Sequence, residues 1–369
     1  MSIMDFCESV PDCRNEKNRL YTASELVFIT LVSVMCGSDT WDDVELFCRS
    51  QFDYFKKRLP NLRGGAPSHD TLNRFFSVLD TAWFESAFRS WVADLCEQIS
   101  GVVAIDGKAV CRNPEAETNS LKNRLYMVSA WSAENGICLG QEKVNSKSNE
   151  ITALPKLIEA LDLEGCIVTI DAIGCQKSIA RAIRKAGADY LLCAKDNQKH
   201  LRRVVAALVR EENKKEGICK CHEEQNEGHG RKEWRECVCT DFERLAPYFL
   251  EGWTGLRTLA RVTEKRLQAD GEFTEDTRYY VTSLPADPKM ILQASRRHWS
   301  VENELHWRMD VAFREDYTRK TDNAAINFSA ICKIALMKLK ECKLKVGLAS
   351  KRKMCGWDEK TRDMVLGIC

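Results

Sequence analysis

Three carboxylates carry the strongest chemical signal in this sequence. Asp106 closes the short apolar run 102–105 and Asp171 closes 166–170, with a glycine one residue later at Gly107 and three later at Gly174. In an open α/β sheet such strand ends carry loops over a rigid scaffold, which is where ligands sit. Taken alone, either aspartate also reads as a turn residue or a helix cap. Helical geometry picks out the third acid. With Trp299 at zero on a wheel of about 3.6 residues per turn, Val301, Ala312, Leu305, Met309 and Phe313 fall at roughly 200 to 320 degrees, and Glu302 falls near 300 degrees, inside that apolar arc. Glu304, at about 140 degrees, lies outside it. A carboxylate in a core-facing stripe is costly unless something cationic meets it. A metal ion would serve, as would an arginine, or hydrogen bonds from His298 and His306 one turn away.

Carboxylates converging from two strand ends and a helix bind hard divalent cations through oxygen and leave positions open for phosphate and water. Two such ions about 4 Å apart activate an attacking oxygen and stabilise a leaving one. Phosphoryl transfer on nucleic acid is the chemistry that suits this set.

Elements must bring the three acids together. Over residues 1–100 the apolar period is helical, with helices expected at 21–36, 41–48, 68–79 with Ser68 as N-cap, and 82–99. This reads as a small all-α domain carrying an exposed Arg74, suited either to DNA binding or to packing and dimerisation. From Gly101 the pattern changes to strands at 102–105, 124–131 and 137–144, the last two joined by the turn Ala133-Glu134-Asn135-Gly136. A helix at 151–161, a strand at 166–170, a helix at 176–186 closed by Gly187 and a strand at 190–194 follow. An antiparallel start joined to a βαβ unit is the plan of a ribonuclease H-like sheet, so the expected fold is α/β. Strand signals at 218–222, 234–239, 255–266 and 273–282 suggest a β-rich insertion over about 219–284. A long helix capped by Asp287, with Pro288 at its first position, should then run through Arg296 to about Phe313. The expected division is 1–100 helical, 101–350 catalytic and 351–369 a C-terminal tail.

Composition narrows the class. The chain has 369 residues, 44% hydrophobic and 30% charged, with 8 prolines and 19 glycines, which excludes disordered and collagen-like chains. The most apolar run, 26–35, is about ten residues where a bilayer span needs roughly twenty, so no membrane partner is expected. Residues 1–16 lack a basic start before an apolar core, which points to the cytoplasm. The 18 cysteines are scattered through apolar stretches and read as reduced, buried thiols. Cys219, Cys221, Cys237 and Cys239 could bind zinc from adjacent strands, but one intervening residue in each pair suits a buried hairpin face equally. The 55 basic residues balance 54 acids, so any DNA contact must be local. Residues 195–215 hold seven basic residues against three acids, and 333–353 hold eight against one. Solvated helix faces would look the same.

The motifs also resemble a known family. Ile105-Asp106-Gly107-Lys108, Lys147-Ser148-Asn149-Glu150-Ile151, Thr169-Ile170-Asp171-Ala172, Gly187-Ala188-Asp189-Tyr190, His229-Gly230-Arg231, Arg278-Tyr279-Tyr280 and His298-Trp299-Ser300-Val301-Glu302-Asn303, with Leu305-His306-Trp307, resemble in order the H-repeat-associated, Rhs-linked insertion-sequence transposases of bacteria. Pro67-Ser68-His69-Asp70-Thr71 is similar to that family's associated helical domain. The resemblance covers nearly the whole chain. It implies a DDE transposase using magnesium or manganese, with Asp106, Asp171 and Glu302 as catalytic metal ligands. It also implies strand cleavage at element ends, strand transfer by the freed 3′ hydroxyl, and a homodimer on double-stranded DNA at element ends and target. Lys108, Lys195, Lys199, Arg202, Arg203 and His298 are the candidates for DNA contact. Tyr126 stands where the family often has His, and Asp196 where it usually has Gly; an extra carboxylate near the metal site would alter catalysis. A non-catalytic DNA-binding protein derived from a transposase, and a structure-selective nuclease, are the competing readings.

Overall fold

The computed structural model describes the chain except residues 13, 16–18, 97, 111–124, 145–149, 229–230, 242–251, 269 and 369 and the side chain of Arg231. The motif positions 147–149 and 229–230 and the first residue of the strand expected at 124–131 lie outside the described residues.

The chain opens with α1 (Ile3–Ser9), α2 (Ala23–Met35), α3 (Trp41–Ser50), α4 (Phe52–Arg58), α5 (His69–Val78) and α6 (Thr81–Leu95). Ser68 caps α5 as expected, its Oγ accepting the Thr71 N–H at 3.3 Å. The short α1 and α4 were not expected, because 7 residues span about two turns and show little period.

Next come β1 (Val102–Ala109), β2 (Tyr126–Ser132), β3 (Ile137–Val144), α7 (Glu150–Glu159), β4 (Ile167–Ile170), α8 (Lys177–Lys185) and β5 (Asp189–Ala194). They are followed by α9 (Lys199–Leu208), α10 (Glu211–Lys215), β6 (Lys220–Gly228), β7 (Arg231–Asp241), β8 (Thr258–Leu267) and β9 (Phe273–Thr282). The nine strands of the described residues form one sheet in the order β3-β2-β1-β4-β5-β9-β8-β7-β6. The antiparallel β1–β2–β3 start and the parallel β1, β4 and β5 follow the sequence expectation. The β signals over 219–284 form β6 to β9, which extend the same sheet because β9 pairs antiparallel with β5, Leu192 opposite Val281.

Asp287 caps α11 (Pro288–His298), accepting from the N–H groups of Lys289 and Met290. The long helix expected to Phe313 is interrupted. Residues Val301–His306 form a π-helical turn, in which the Trp307 N–H donates to the Glu302 carbonyl five residues back, before α12 (Trp307–Phe313) resumes.

α13 (Asp322–Glu341), α14 (Leu348–Trp357) and α15 (Glu359–Leu366) complete the chain. Residues 351–366 are therefore packed helices instead of a tail, with Lys351, Arg352, Cys355 and Arg362 buried. α13 is buried along most of its length. On one side Asn327 Nδ2 donates to the carbonyls of Phe76 and Leu79, both at 3.0 Å, and Phe328 meets the Trp41 ring at 5.1 Å. On the other, Lys333 Nζ reaches Ser129 Oγ at 3.1 Å and Gln141 Oε1. Glu85 of α6 accepts the Gln141 N–H at 2.8 Å. The chain boundary near residue 100 is thus no boundary in the core, where α2, α13 and the strands share one apolar cluster.

The same packing divides the basic stretch 333–353, burying Lys333, Lys351 and Arg352 while Lys343, Lys345 and Lys353 stay exposed. Lys333 is 3% exposed, Lys351 donates to the Leu339 carbonyl, and Arg352 donates to the Val34 carbonyl and to Asp39. These cations satisfy interior carbonyls and side chains, not phosphates. The described cysteines are free thiols, most of them buried. No helix of the described residues is long and apolar enough to cross a membrane.

Candidate active site

Sheet register sets the first two acids. In the parallel pair β1–β4, Ile105 lies opposite Ile170, so Asp106 and Asp171 follow at the same level on neighbouring strands. Asp106 is not the end of its strand, as the sequence suggested. β1 stays paired with β2 to Ala109, while β4 stops at Ile170, and the gap left beyond β4 opens a cleft. Asp171 Oδ1 accepts the Ile173 N–H at 3.1 Å, so the cap reading and the rim position both hold for it.

Glu302 reaches the same cleft from the π-helical turn. Val301, Leu305, Met309, Ala312 and Phe313 are buried, as the wheel required, but Glu302 is exposed instead of sitting in the buried stripe. A π turn closes on the fifth residue and rotates each side chain less than an α turn does, so the wheel loses phase there. Glu304 is turned to Lys340, at 2.8 Å. The cleft, of about 130 Å³, is lined by Asp106, Asp171 and Glu302 together with Lys195, Arg278 and His298.

Charge is unevenly distributed within it. Burial pushes the Asp171 carboxyl above its ordinary range, and the neighbouring Asp106 adds to this. Glu302, although its side chain is largely exposed, is raised by the partial burial of its carboxyl and by Asp106. Burial acts most strongly on Asp106 and upward, but His306, whose Nδ1 lies 3.4 Å from Oδ2, together with His298 and the Gly107 N–H, leaves Asp106 below the usual carboxylate range. His298 does not bond Glu302; its Nδ1 pairs with Thr169 Oγ1 at 3.0 Å, and burial holds its pKa down, with Arg278 and Lys195 helping. Arg278 also lies over the Trp299 ring, 4.5 Å from its centroid.

The cationic candidates divide. Lys195 lines the cleft, and Lys199, Arg202 and Arg203 are exposed on α9, whose Leu201 and Val205 face the core. Lys108 is taken up by Asp310 and by Glu315 at 3.0 Å, so its ammonium is already paired. Asp196 stands on the rim because Asn197 donates to the Ala172 carbonyl at 2.6 Å and Gln198 to that of Cys175 at 3.0 Å. Its carboxylate, however, is 78% exposed, pairs with Arg202 at 2.6 Å and does not line the cleft. Tyr126 begins β2 opposite Ala109, with Ser129 the partner of Asp106. Glu150, Arg278 and His306 bear on the site without having been assigned to it. Each stands in a motif string read above, yet only long-range packing brings it to Asp106 and Asp171.

A zinc site built from all four of these cysteines is excluded by register. Cys221 pairs with Val238, whereas Cys237 pairs with His222 and Cys239 with Lys220. Directly opposed residues share a face, so Cys221 projects to one side of the sheet and Cys237 and Cys239 to the other. Cys221 is exposed and Cys237 and Cys239 are in the core.

Comparison with known proteins agrees with this geometry in its coarse features. The Transposase DDE domain family matches residues 97–337, and the DDE_Tnp_1-associated family matches residues 4–92. The putative transposase YncI of Escherichia coli O157:H7 is 35% identical over 376 residues, covering 100% of this chain and 95% of its own. The H repeat-associated putative transposase YhhI of Escherichia coli strain K12 is 34% identical over 365 residues, covering 96% and 95%. A piggyBac transposase synaptic complex with hairpin DNA aligns at a TM-score of 0.44 with 11% identity over 99% of this chain and 76% of that one, a likeness too weak to carry any argument.

Proposed function

The chain belongs to the Transposase DDE domain family, and we propose that Asp106, Asp171 and Glu302 are its acidic triad, acting on DNA phosphodiesters. One observation carries the proposal. Two aspartates at matched positions on adjacent parallel strands share a single cleft with a glutamate from a distant helical segment. The strand order around them supports a ribonuclease H-like reading of β1 to β5. The three candidate ligands in the cleft, Asp106, Asp171 and Glu302, are all oxygen donors, so the residues fit a hard divalent cation, magnesium or manganese.

Such an ion, when bound, lowers the pKa of water and offsets charge on the phosphate. Asp106, Asp171 and Glu302 would hold it. Lys195 and Arg278 line the cleft beside them and would receive phosphate oxygens, Arg278 being the better suited to two-pronged contact. His298, kept neutral by burial and by these cations, offers a hydrogen bond without adding charge. The exposed Lys199, Arg202 and Arg203 extend the basic surface along α9 for duplex DNA. In this reading hydrolysis at the element ends frees a 3′ hydroxyl, which then attacks target DNA, and a homodimer in the cytoplasm pairs the two ends.

The test is a cleavage assay on the DNA flanking the reading frame, with and without magnesium. Asp106→Asn, Asp171→Asn and Glu302→Gln should each abolish cleavage and leave DNA binding intact. Glu304→Gln, altering an acid paired with Lys340, should retain cleavage. Cleavage surviving at Glu302→Gln would remove it from the triad. Binding without cleavage by the unaltered chain would favour a non-catalytic DNA-binding protein, and cleavage without strand transfer a nuclease.

A further inference from the structure

We propose that Glu150 is a fourth carboxylate ligand of the divalent-ion site, beside Asp106 and Asp171. The proposal rests on the reading of that site given above.

Glu150 is the first residue of α7, which follows the β2–β3 hairpin. The return of the chain sets its side chain directly against β1. A Cβ built on Gly107 would lie 2.6 Å from the Glu150 Cδ and 2.9 Å from Oε2, so no side chain other than hydrogen fits at position 107 while Glu150 keeps its place. Gly107 lies inside a strand, and its φ is not among the positive ones. Glycine there weakens the strand without meeting a conformational need, and close approach of another group is the remaining use for it. That group is the Glu150 carboxylate, one residue from Asp106.

The charge around Glu150 is one-sided. Among the described residues it makes no hydrogen bond or ion pair, and the groups that act on it are burial, then Asp171, then Asp106, all of which raise its pKa. Lys108, the nearest cation along β1, is held by Asp310 and Glu315. An acid in the first turn of a helix is favoured by the helix dipole, but that alone would leave it free to face water. Here it is half-buried, with its carboxylate against Gly107 and repelled by Asp171 and Asp106. Like charges so placed are stabilised by a cation, and among the described residues none is paired with Glu150.

The experiment uses the full-length chain and manganese alone, titrated by isothermal calorimetry and by thermal denaturation with and without the ion, with cleavage measured in parallel. Glu150→Gln should weaken manganese binding by about 10-fold or more, in the range seen when groups supporting a metal are removed. Without metal the same variant should melt at or above the wild-type temperature, since a repelling charge is gone, and it should gain less from added manganese. Gly107→Ala should weaken binding similarly by displacing Glu150. A purely structural Glu150 would give a lower metal-free melting temperature with unchanged affinity. If Glu150→Gln binds manganese as the wild type does while Asp106→Asn and Asp171→Asn lose it, the proposal fails and the triad stands. If all three variants bind normally, the triad reading fails too.

Discussion

His306 Nδ1 lies 3.4 Å from Asp106 Oδ2, and its other ring nitrogen, Nε2, is buried without a hydrogen-bond partner among the described residues. The imidazole is thus committed on one side to the carboxylate proposed above to hold the cation. It sits on the π-helical turn that also carries Glu302, so one irregular turn delivers an acid to the cleft and a positioning group to the acid facing it. Local departures from α geometry of this kind recur at functional sites.

His306→Ala should therefore move the acidic limb of the cleavage pH profile to higher pH. Asp106 is held below its ordinary range, so it remains charged until pH falls through that lowered value. Without His306 the upward push of burial is unopposed by its main partner, and protonation sets in at higher pH. The profile of rate against pH at saturating magnesium checks this. An unmoved limb, with only the plateau lowered, would make His306 a packing residue.

Glu85 predicts a pH dependence of stability. Burial raises its pKa from 4.5 to about 7, against the lowering effects of the Gln141 N–H and of Lys333. Between those values the folded state binds a proton that the unfolded chain has lost, so stability falls as pH rises, with a slope of at most about 1.4 kcal/mol per pH unit from this group. Glu85→Gln keeps an acceptor for the Gln141 N–H and should flatten the slope between pH 5 and 7 while matching or exceeding wild-type stability at pH 8. Urea midpoints at these pH values provide the measurement; an unaltered slope would show that Glu85 does not titrate there.

The two basic stretches should respond differently. Lys199→Glu and Arg203→Glu should weaken DNA binding for all sequences alike and lower the salt slope by about 0.9 per lost phosphate contact. Lys333→Met should instead destabilise the fold, by about 1–3 kcal/mol, because Gln141 Oε1 and Ser129 Oγ lose a buried donor. Salt titrations of binding together with thermal melts separate the two. A Lys333→Met protein of normal stability that binds DNA poorly would return that residue to the interface.

Residues 1–100 should not unfold cooperatively as an isolated fragment, although their helical period suggests an independent domain. Asn327 and Phe328 of α13 fill contacts with Phe76, Leu79 and Trp41 that the fragment lacks. Removing α13 exposes the apolar faces it covers. Circular dichroism during thermal melting of the fragment decides; a sharp transition would restore the autonomous domain.

The sequence by itself determined what is local. Apolar runs mark β1 and β4, ending in or next to Asp106 and Asp171, and Ser68 and Asp287 announce helix starts, because strand alternation and capping act over a few residues. The α/β class and the three acids that line one cleft were legible on that basis, helped by motifs spread along the chain. Tertiary structure alone decided the rest. Whether 219–284 stands apart depends on β9 meeting β5, a pairing between segments about ninety residues apart. The cysteine pairs fall on opposite faces through a register that no spacing records. Lys333 and Arg352 look like surface charge in sequence, yet they end as interior donors because α13 and α14 pack between other elements. Glu302 reaches the cleft because a π turn breaks the wheel that first singled it out, and Glu150 and His306 join Asp106 only when the sheet and helices close around it. Periodicity is a property of neighbours in the chain, while charge neutralisation and ligand geometry belong to neighbours in space, which only the packed fold defines.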